Sequence, residues 1–392
     1  MAPSASGPNC TAHQKIEIAP AAPSRDGLVG GSRLKAAEEL PDGRAAGRLP
    51  LGAGSEGGRT LAGSGKSDTA RPGIKMSQEL VVVAISAVLF VVFSATLNNF
   101  LSQGNILAIL KNVSILGTLA VGMGFIVVGR GIDLTMVAVM VVGVAFSIWI
   151  STWGVDFTLA VICGAILVAV IGLFTGIMVA VAEIPPIFAT LAIASSVYGS
   201  GRIVFASDVL YAPSDIGWLK FVGNGTILGI PMSVIIFAAV AALMGFFLRK
   251  TRFGRLVYAT GDNPNAARTT GLPTRPIIVT QYVISALIAY TAGIIMLGLV
   301  TGIDTRLYNS SLIYDVLLVV VLGGIGLSGG QGGVRNVIVG TILVGILTNG
   351  MTILNFSYTS QNLIKSVILL GALAIDAIIN PRDEQTSQSG DI

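Results

Sequence analysis

The sequence predicts an all-α polytopic membrane protein, with about ten transmembrane helices, some of them broken or re-entrant, behind a disordered N-terminal tail. Three observations carry that prediction. Mean hydropathy is +0.81, and 53% of residues are hydrophobic against 11% charged, which lies outside the range of soluble globules. The apolar residues fall in runs long enough to cross a hydrocarbon layer about 30 Å thick. The charges, finally, collect in the tail and in one polar island, Arg249–Pro276, between two apolar segments.

Residues 1–75 hold ten Lys/Arg and seven Asp/Glu, and Met76–Ile392 holds 14 and 13, so most of the net charge of +4 belongs to the tail. The basic balance is therefore no sign of a nucleic-acid surface. The tail is rich in Gly, Ala, Ser and Pro without apolar periodicity, and it lacks the apolar core of a secretory signal. Composition changes abruptly at Met76, which makes that Met a candidate functional start and the upstream segment an extension. GRTLAGSGKSD within the tail is no P-loop, because Thr60 stands where the first glycine is required. Cys10 and the single His13 lie in the tail and Cys163 in an apolar run. No disulfide framework, metal centre or histidine-based catalysis is expected, and no cofactor on this chain.

The candidate crossings are Glu79–Leu97, Ser114–Gly129, Leu134–Ile150, Phe157–Val181, Pro186–Phe205, Met232–Leu248, Ile277–Val300, Leu312–Leu327, Val337–Leu354 and Ile364–Ile379. Asn105–Val113 reads as an amphipathic interfacial helix leading into the second. The loop Ala206–Pro231 is the largest on its side, and its Tyr211, Trp218 and Phe221 suit an interfacial belt or a docking surface. Glycines such as Gly164, Gly172, Gly176, Gly293, Gly340, Gly345 and Gly350 within the spans allow helices to approach closely in lipid.

The island holds Arg249, Lys250, Arg252, Arg255, Arg268 and Arg275 against one acid, Asp262. So short a basic loop reads as cytoplasmic, and ten crossings then place both termini, including the 382–392 tail, on the same side. Arg130, Arg335 and Arg382 fall inside with it, and Asp208, Asp215 and Asp304 outside. Within the island, Asp262 or Asn263 can cap a helix opening at Pro264, Asn265–Thr270 continue it, and Gly271 ends it in the left-handed conformation. Such a helix, with small Ala266 and Ala267, suits a groove on a partner protein; lipid anchoring is the plainer reading of the charge alone.

Two glycine breaks interrupt apolar runs, GIDLT at Gly131–Thr135 and GIGLS at Gly324–Ser328, and their likeness points to an internal repeat whose broken helices meet near a pathway. Ionisable groups inside spans are few: Asp133, Asp315 and Asp376, with Glu183 at a span end. Asp133 suits a helix cap, Asp315 a pathway residue, and Asp376 lies close enough to an end to reach water. The spans show no rich polar constellation, and no pairing of acids with cations points to a proton relay.

Taken together, GMGFIVVGRGIDLTMVAVMVVG, IPPIFATLAIASSVYGSGRIV, FGRLVYATGDNPNAARTTGL and VVVLGGIGLSGGQGG resemble, in order and spacing, the permease subunit of ribose/xylose-type bacterial ABC sugar importers. The resemblance covers residues 76–381 and none of the tail. It implies two permease copies, identical or closely paralogous, a cytoplasmic ATPase that binds ATP-Mg, and a periplasmic sugar-binding protein. It also implies that the island is the ATPase-coupling region, through Gly254, Arg255, Ala259, Gly261, Asn263, Ala266, Ala267 and Gly271. Candidates for pathway and gating are Gly131, Asp133, Thr135, Asp315, Gly324 and Ser328. The family commonly reads GGIDLSVG, where this chain has Arg130 for a glycine and Thr135, Met136 and Val137 for the small SVG.

The expected function is thus a non-enzymatic transport subunit in the bacterial inner membrane. It would form the path for a monosaccharide or related sugar or polyol, with energy supplied by a partner. The alternative is an ion-coupled secondary transporter of a small polar solute, which would need ion-coordinating groups at mid-membrane and no docking helix. A membrane-embedded enzyme would need paired acids, a metal cluster or an activated nucleophile in the spans, and none is present.

Overall fold

The computed structural model describes residues 78–205, 208–213 and 215–379. The expectations for the N-terminal tail, for Arg382 and for the 382–392 segment lie outside those residues.

The first half of the bundle is α1 (Gln78–Thr96), α2 (Gln103–Val128), α3 (Met136–Ser151), α4 (Phe157–Ala180) and α5 (Pro186–Phe205). A short region follows, with β1 (Val209–Tyr211), α6 (Gly217–Asn224), β2 (Thr226–Ile227) and β3 (Ile230–Pro231). The second half begins with α7 (Met232–Lys250), then α8 (Arg252–Asp262), α9 (Pro264–Thr269) and α10 (Thr274–Val300). After β4 (Gly302–Asp304) and a 3₁₀ turn (Thr305–Asn309) come α11 (Leu312–Leu322), α12 (Val334–Ile353) and α13 (Tyr358–Ile379). Eight of these helices are long and apolar enough to span a membrane, and α3 and α11 are shorter apolar helices. Those ten correspond one for one to the expected crossings.

Four boundaries differ from expectation, the simplest being α13, which begins at Tyr358, six residues before Ile364. α2 is a single helix of 26 residues, about 39 Å long, so Asn105–Val113 is its first half rather than a separate interfacial piece. Its polar residues face a cavity described below, which is why the stretch looks amphipathic. α11 stops at Leu322, five residues before Leu327, because Gly323 and Gly324 close it. The loop Ala206–Pro231 contains a helix and strands: β2 pairs with β3, and β1 pairs with β4 in the register Val209↔Asp304 to Tyr211↔Gly302. Within that region Trp218 packs on Phe157 at 5.9 Å, while Tyr211 and Phe221 are exposed.

α10 is the helix the others gather round, packing against α2, α3, α4 and α6. α4 approaches it through glycines: a Cβ on Gly176 would lie 2.7 Å from Val279 Cα, and one on Gly172 2.8 Å from the Tyr282 carbonyl oxygen. In lipid this close packing, rather than exclusion from water, is what holds two helices together. α1 and α13, by contrast, expose large apolar side chains such as Val91 and Leu370. They form the periphery of an inside-out surface, where apolar residues meet lipid.

At the end opposite the island, ion pairs tie the loops. Arg306 bonds Asp304 through Nε (3.1 Å) and Nη2 (3.0 Å), and those bonds, with Arg202 also nearby, hold the Asp304 carboxyl below its usual range. Arg202 joins Asp208 and donates to Thr305 Oγ1 at 2.9 Å.

The α4–α10 contact predicts an asymmetry within one helix. Gly176→Leu must force the two helices apart and is expected to cost about 1–3 kcal/mol or more, read as a lower unfolding temperature of the purified protein. Phe174→Leu, on the exposed side of α4, should leave that temperature within about a degree or two of wild type.

Candidate functional site

The island folds into two helices where one was expected. α7 ends at Lys250, and Thr251 turns the chain: its Oγ1 donates to the Phe247 carbonyl (2.6 Å) and accepts from the Gly254 N–H (3.0 Å). Gly254 is required there, because a Cβ would lie 2.2 Å from the Leu248 carbonyl oxygen. α8 is amphipathic, with Val257, Thr260 and Gly261 buried and Arg252, Arg255, Ala259 and Asp262 exposed. Asn263 caps α9 by accepting from the Ala266 N–H at 2.9 Å, with Pro264 at the first helical position. Leu272 N–H to Ala267 O and Gly271 N–H to Arg268 O, both 3.0 Å, close it as a Schellman motif around Gly271 at φ 78°. Ala266 is exposed but Ala267 is buried. Arg275 and Arg268 reach Glu183 in the α4–α5 turn at 3.2 and 3.8 Å, an acid from outside the island.

Glycine backbone joins α8 to both helix breaks. Gly330 N–H donates to the Val128 carbonyl at the end of α2 (2.8 Å), and Tyr258 Oη donates to the Gly332 carbonyl (2.8 Å). Burial pushes the Tyr258 phenol above its usual value and Arg249 pulls it only partly back, so the donor stays protonated. A Cβ on Gly261 would lie 2.0 Å from the Val128 carbonyl oxygen, and one on Gly330 2.7 Å from Asp262 Cα. Gly329, Gly330 and Gly332 all have positive φ. The last turn of α8, the end of α2 and the loop after α11 are thus wedged together largely through glycine backbone, with the Tyr258 side chain bridging to the loop.

The two breaks are closed in the same way. After α2, Gly131 N–H bonds the Ile126 carbonyl and Arg130 N–H that of Val127; after α11, Ile325 N–H bonds Val320 and Gly324 N–H bonds Val321. Both are Schellman closures, and the left-handed residues are Arg130 (φ 67°) and Gly324 (φ 88°). The likeness of GIDLT and GIGLS thus corresponds to a shared helix closure, one residue out of the register expected; α9 ends in the same closure, so the closure alone does not establish an internal repeat. Gly129 matches Gly323, and Arg130 matches Gly324. Among the described residues the Arg130 guanidinium makes no ion pair.

Three side chains of α10 hold the first break. Gln281 Nε2 donates to the Phe125 carbonyl (3.1 Å), Tyr282 Oη to that of Ile132 (3.3 Å), and Ser285 Oγ to Asp133 Oδ2 (2.9 Å). Asp133 Oδ1 accepts from the Thr135 N–H (2.9 Å) and hydroxyl. The fully buried carboxyl closes an Asx turn just ahead of α3 instead of capping it, and it stitches the break to α10. Thr135 is buried with it, while Ser328 is half-buried in the second break.

Asp315 lies elsewhere. Lys365 Nζ of α13 contacts both its carboxylate oxygens at 2.7 Å, in a largely buried ion pair. This pairing of an intramembrane acid with a cation was not read from the sequence. Asp315 also lines a cavity of about 790 Å³ at the end opposite the island, with Asn105 and Asn112 of α2, Asn309, and Thr348 and Asn349 of α12. Asn105 and Asn349 exchange amide hydrogen bonds at 3.0 and 2.8 Å. The spans do hold a polar constellation, contrary to expectation. It is assembled from one or two residues per helix, of which the Asn105 and Asn112 spacing of seven was the one readable sign. Amides donate and accept in fixed directions, which suits a polyhydroxylated solute. The structure thus collects Gly131, Asp133, Thr135, Gly324 and Ser328 at the breaks and leaves Asp315 at the cavity.

Two outcomes follow from this geometry. Arg130→Gly relieves a left-handed non-glycine residue and is expected to raise stability by about 1 kcal/mol, measured as a higher unfolding temperature; a fall would mean that the guanidinium carries a contact of greater worth. Asp315→Asn strands the buried Lys365 ammonium and should cost about 3–5 kcal/mol, whereas Asp315→Leu with Lys365→Met should recover most of it. Thermal melts of the three proteins compare them directly.

Residues 105–374 match the family described as "Branched-chain amino acid transport system / permease component". Three curated relatives are named as permeases for particular sugars. The ribose import permease of Bacillus subtilis strain 168 is 32% identical over 297 residues, 74% of this chain and 89% of the relative. The galactofuranose transporter permease of Escherichia coli K12 is 30% identical over 275 residues, 70% of this chain and 80% of the relative. The L-arabinose ABC transporter permease of Azospirillum brasilense is 30% identical over 297 residues, covering 75% and 86%. No solved structure matches significantly. The chain belongs to this permease family, and within it to the ribose-type permeases of ABC sugar importers.

Proposed function

We propose that this chain forms the translocation path of an ATP-driven importer for a monosaccharide or related sugar or polyol. The sugar would be delivered by a periplasmic binding protein to a pair of permease subunits, identical or closely paralogous. The observation that carries the reading is the glycine-packed seam in which α8 touches both helix breaks at once. A push on the exposed face of α8 and α9 meets glycine backbone and the Tyr258–Gly332 bond rather than long, compliant side chains. It passes into the backbone of α2 and of the loop after α11.

The basic island sets the sidedness: it lies in the cytoplasm with both termini, in accord with the positive-inside rule. The exposed Arg255, Ala259, Asn263 and Ala266 then form the docking surface for a cytoplasmic ATPase carrying ATP-Mg. Gly254, Gly261, Ala267 and Gly271 shape the α8–α9 unit and need not touch the partner. The cavity bounded by Asn105, Asn112, Asp315 and Asn349 opens toward the periplasmic side, where a solute would arrive. Alternating access follows if ATP-linked movement of the seam favours one arrangement of α2 and α11 over another. The sugars named for the relatives are pentoses or sugars that adopt five-membered rings, and a solute of that size is the substrate class we infer.

Ala259→Glu tests the docking surface. Ala259 is exposed, so a carboxylate there alters the interface without entering the fold; the buried Ala267 would not serve. Tagged wild type from native membranes should copurify with an ABC ATPase, and Ala259→Glu should lose at least ten-fold of it at unchanged unfolding temperature. If no ATPase copurifies under several mild detergents, and uptake survives ATP depletion yet collapses with an ionophore, the chain is an ion-coupled transporter instead.

A further inference from the structure

A groove of about 580 Å³ runs between α7 and the first turns of α12 and shares no lining residue with the polar cavity. Its walls are apolar: Phe237, Ala241 and Gly245 from α7, and Val334 and Ile338 from α12. Lining residues extend along α7 from Val234 to Lys250, about 24 Å at 1.5 Å per residue. That reaches from the head-group level past the midplane of a bilayer. The groove has spare room, since the nearest atom to a Cβ on Gly245 would be Val334 Cβ, 3.8 Å away.

Its basic mouth is formed by Arg249, Lys250 and Arg335, all exposed. Among the described residues none of the three has an acid within ion-pair distance. Arg268 and Arg275 of the island both face Glu183, whereas Arg252 and Arg255 of α8, also without an ion pair among the described residues, do not line the groove. α12, which begins at Val334 after Gly333, has no side-chain cap on its first turn, and Val334 and Arg335 of that turn line the groove.

We infer that this groove binds an anionic phospholipid, with an acyl chain along α7 and the phosphate among Arg249, Lys250 and Arg335. The apolar walls give a soluble anion nothing to hold, and three unpaired cations discriminate against a zwitterionic head group. An apolar partner helix would fill the walls and leave the cations unmatched. The lipid would sit one residue from the Thr251 turn that starts α8, and next to Gly333, beside the Tyr258–Gly332 bond. It would brace the hinge of the α8 unit, which makes occupancy a regulator of the seam. The binding claim itself does not depend on the transport reading.

Native mass spectrometry of the full chain in detergent, titrated with phosphatidylglycerol, phosphatidylethanolamine and inorganic phosphate, tests it. Wild type should retain phosphatidylglycerol at least ten-fold over phosphatidylethanolamine, and millimolar inorganic phosphate should not displace it. Arg249→Gln, Lys250→Gln and Arg335→Gln should each weaken retention about five-fold. Gly245→Leu should also weaken it, by filling the groove with every charge in place. Size-exclusion profiles identify any variant that fails to fold, and the remaining variants decide. Equal retention of the two lipids, or unchanged retention in both the charge and the groove-filling variants, overturns the inference. Displacement by inorganic phosphate reduces the mouth to an adventitious ion site only and overturns it equally.

Discussion

A chain cannot leave a helix inside hydrocarbon without finding partners for the backbone groups it frees. This protein does so twice, after α2 and after α11, and several of its buried polar contacts answer that constraint. Phe125 O takes a bond from Gln281, Ile132 O from Tyr282, and Val128 O from Gly330 N–H. Across the second break, Asn336 Nδ2 donates to the Gly323 carbonyl at 2.8 Å. Asp133 is spent on the same task. An acid in a span is a functional candidate by default, but here its buried carboxylate is satisfied by Thr135 and Ser285, and it works as a fastening between the break and α10.

Some freed carbonyls are closed locally, but those of Phe125, Val128, Ile132 and Gly323 are answered from other elements, so the breaks also decide which elements touch. α10 carries Gln281, Tyr282 and Ser285 on one face and meets the glycines of α4 on another. The island contributes Tyr258 and Gly261, and its Arg268 and Arg275 pin the far side of α9 to Glu183. α8 is thereby fastened at its inner face and free at its outer one. A rigid element that is gripped by the membrane part on one side and open on the other is the arrangement that coupling to a soluble partner demands.

Much of this was legible from residue order. Ten apolar runs became ten helices because hydrocarbon thickness leaves little choice of length. Asn263, Pro264 and Gly271 were read correctly because capping is local chemistry. α8 was missed for the opposite reason: its eleven residues mix arginines with Val257 and Tyr258, and only tertiary packing shows which face is buried. GIDLT and GIGLS align one residue out of register because they share letters, whereas what the two sites have in common is a closure. The helix cap and the left-handed position are what recur, and Arg130 disguises the second of these. The Asp315–Lys365 pair and the Asn105–Asn349 pair each join residues from distant helices, so no local pattern announces them.

The same three helices carry both ends of the molecule. α2 begins with Asn105 and Asn112 on the cavity wall and ends at the Arg130 closure; α11 runs from Asp315 to Gly324; α12 starts at the groove with Arg335 and passes Thr348 and Asn349. α2 is unbroken over its 26 residues, so it acts as a rod, and a tilt of only about five degrees moves one end by roughly 3 Å relative to the other. A shift of that size is comparable to the length of the Asn105–Asn349 bonds that close the cavity wall. The seam therefore needs no large motion to change the cavity. It needs only to be stiff, and glycine backbone packed on backbone, tied by the Tyr258–Gly332 bond, is a contact with little room to yield.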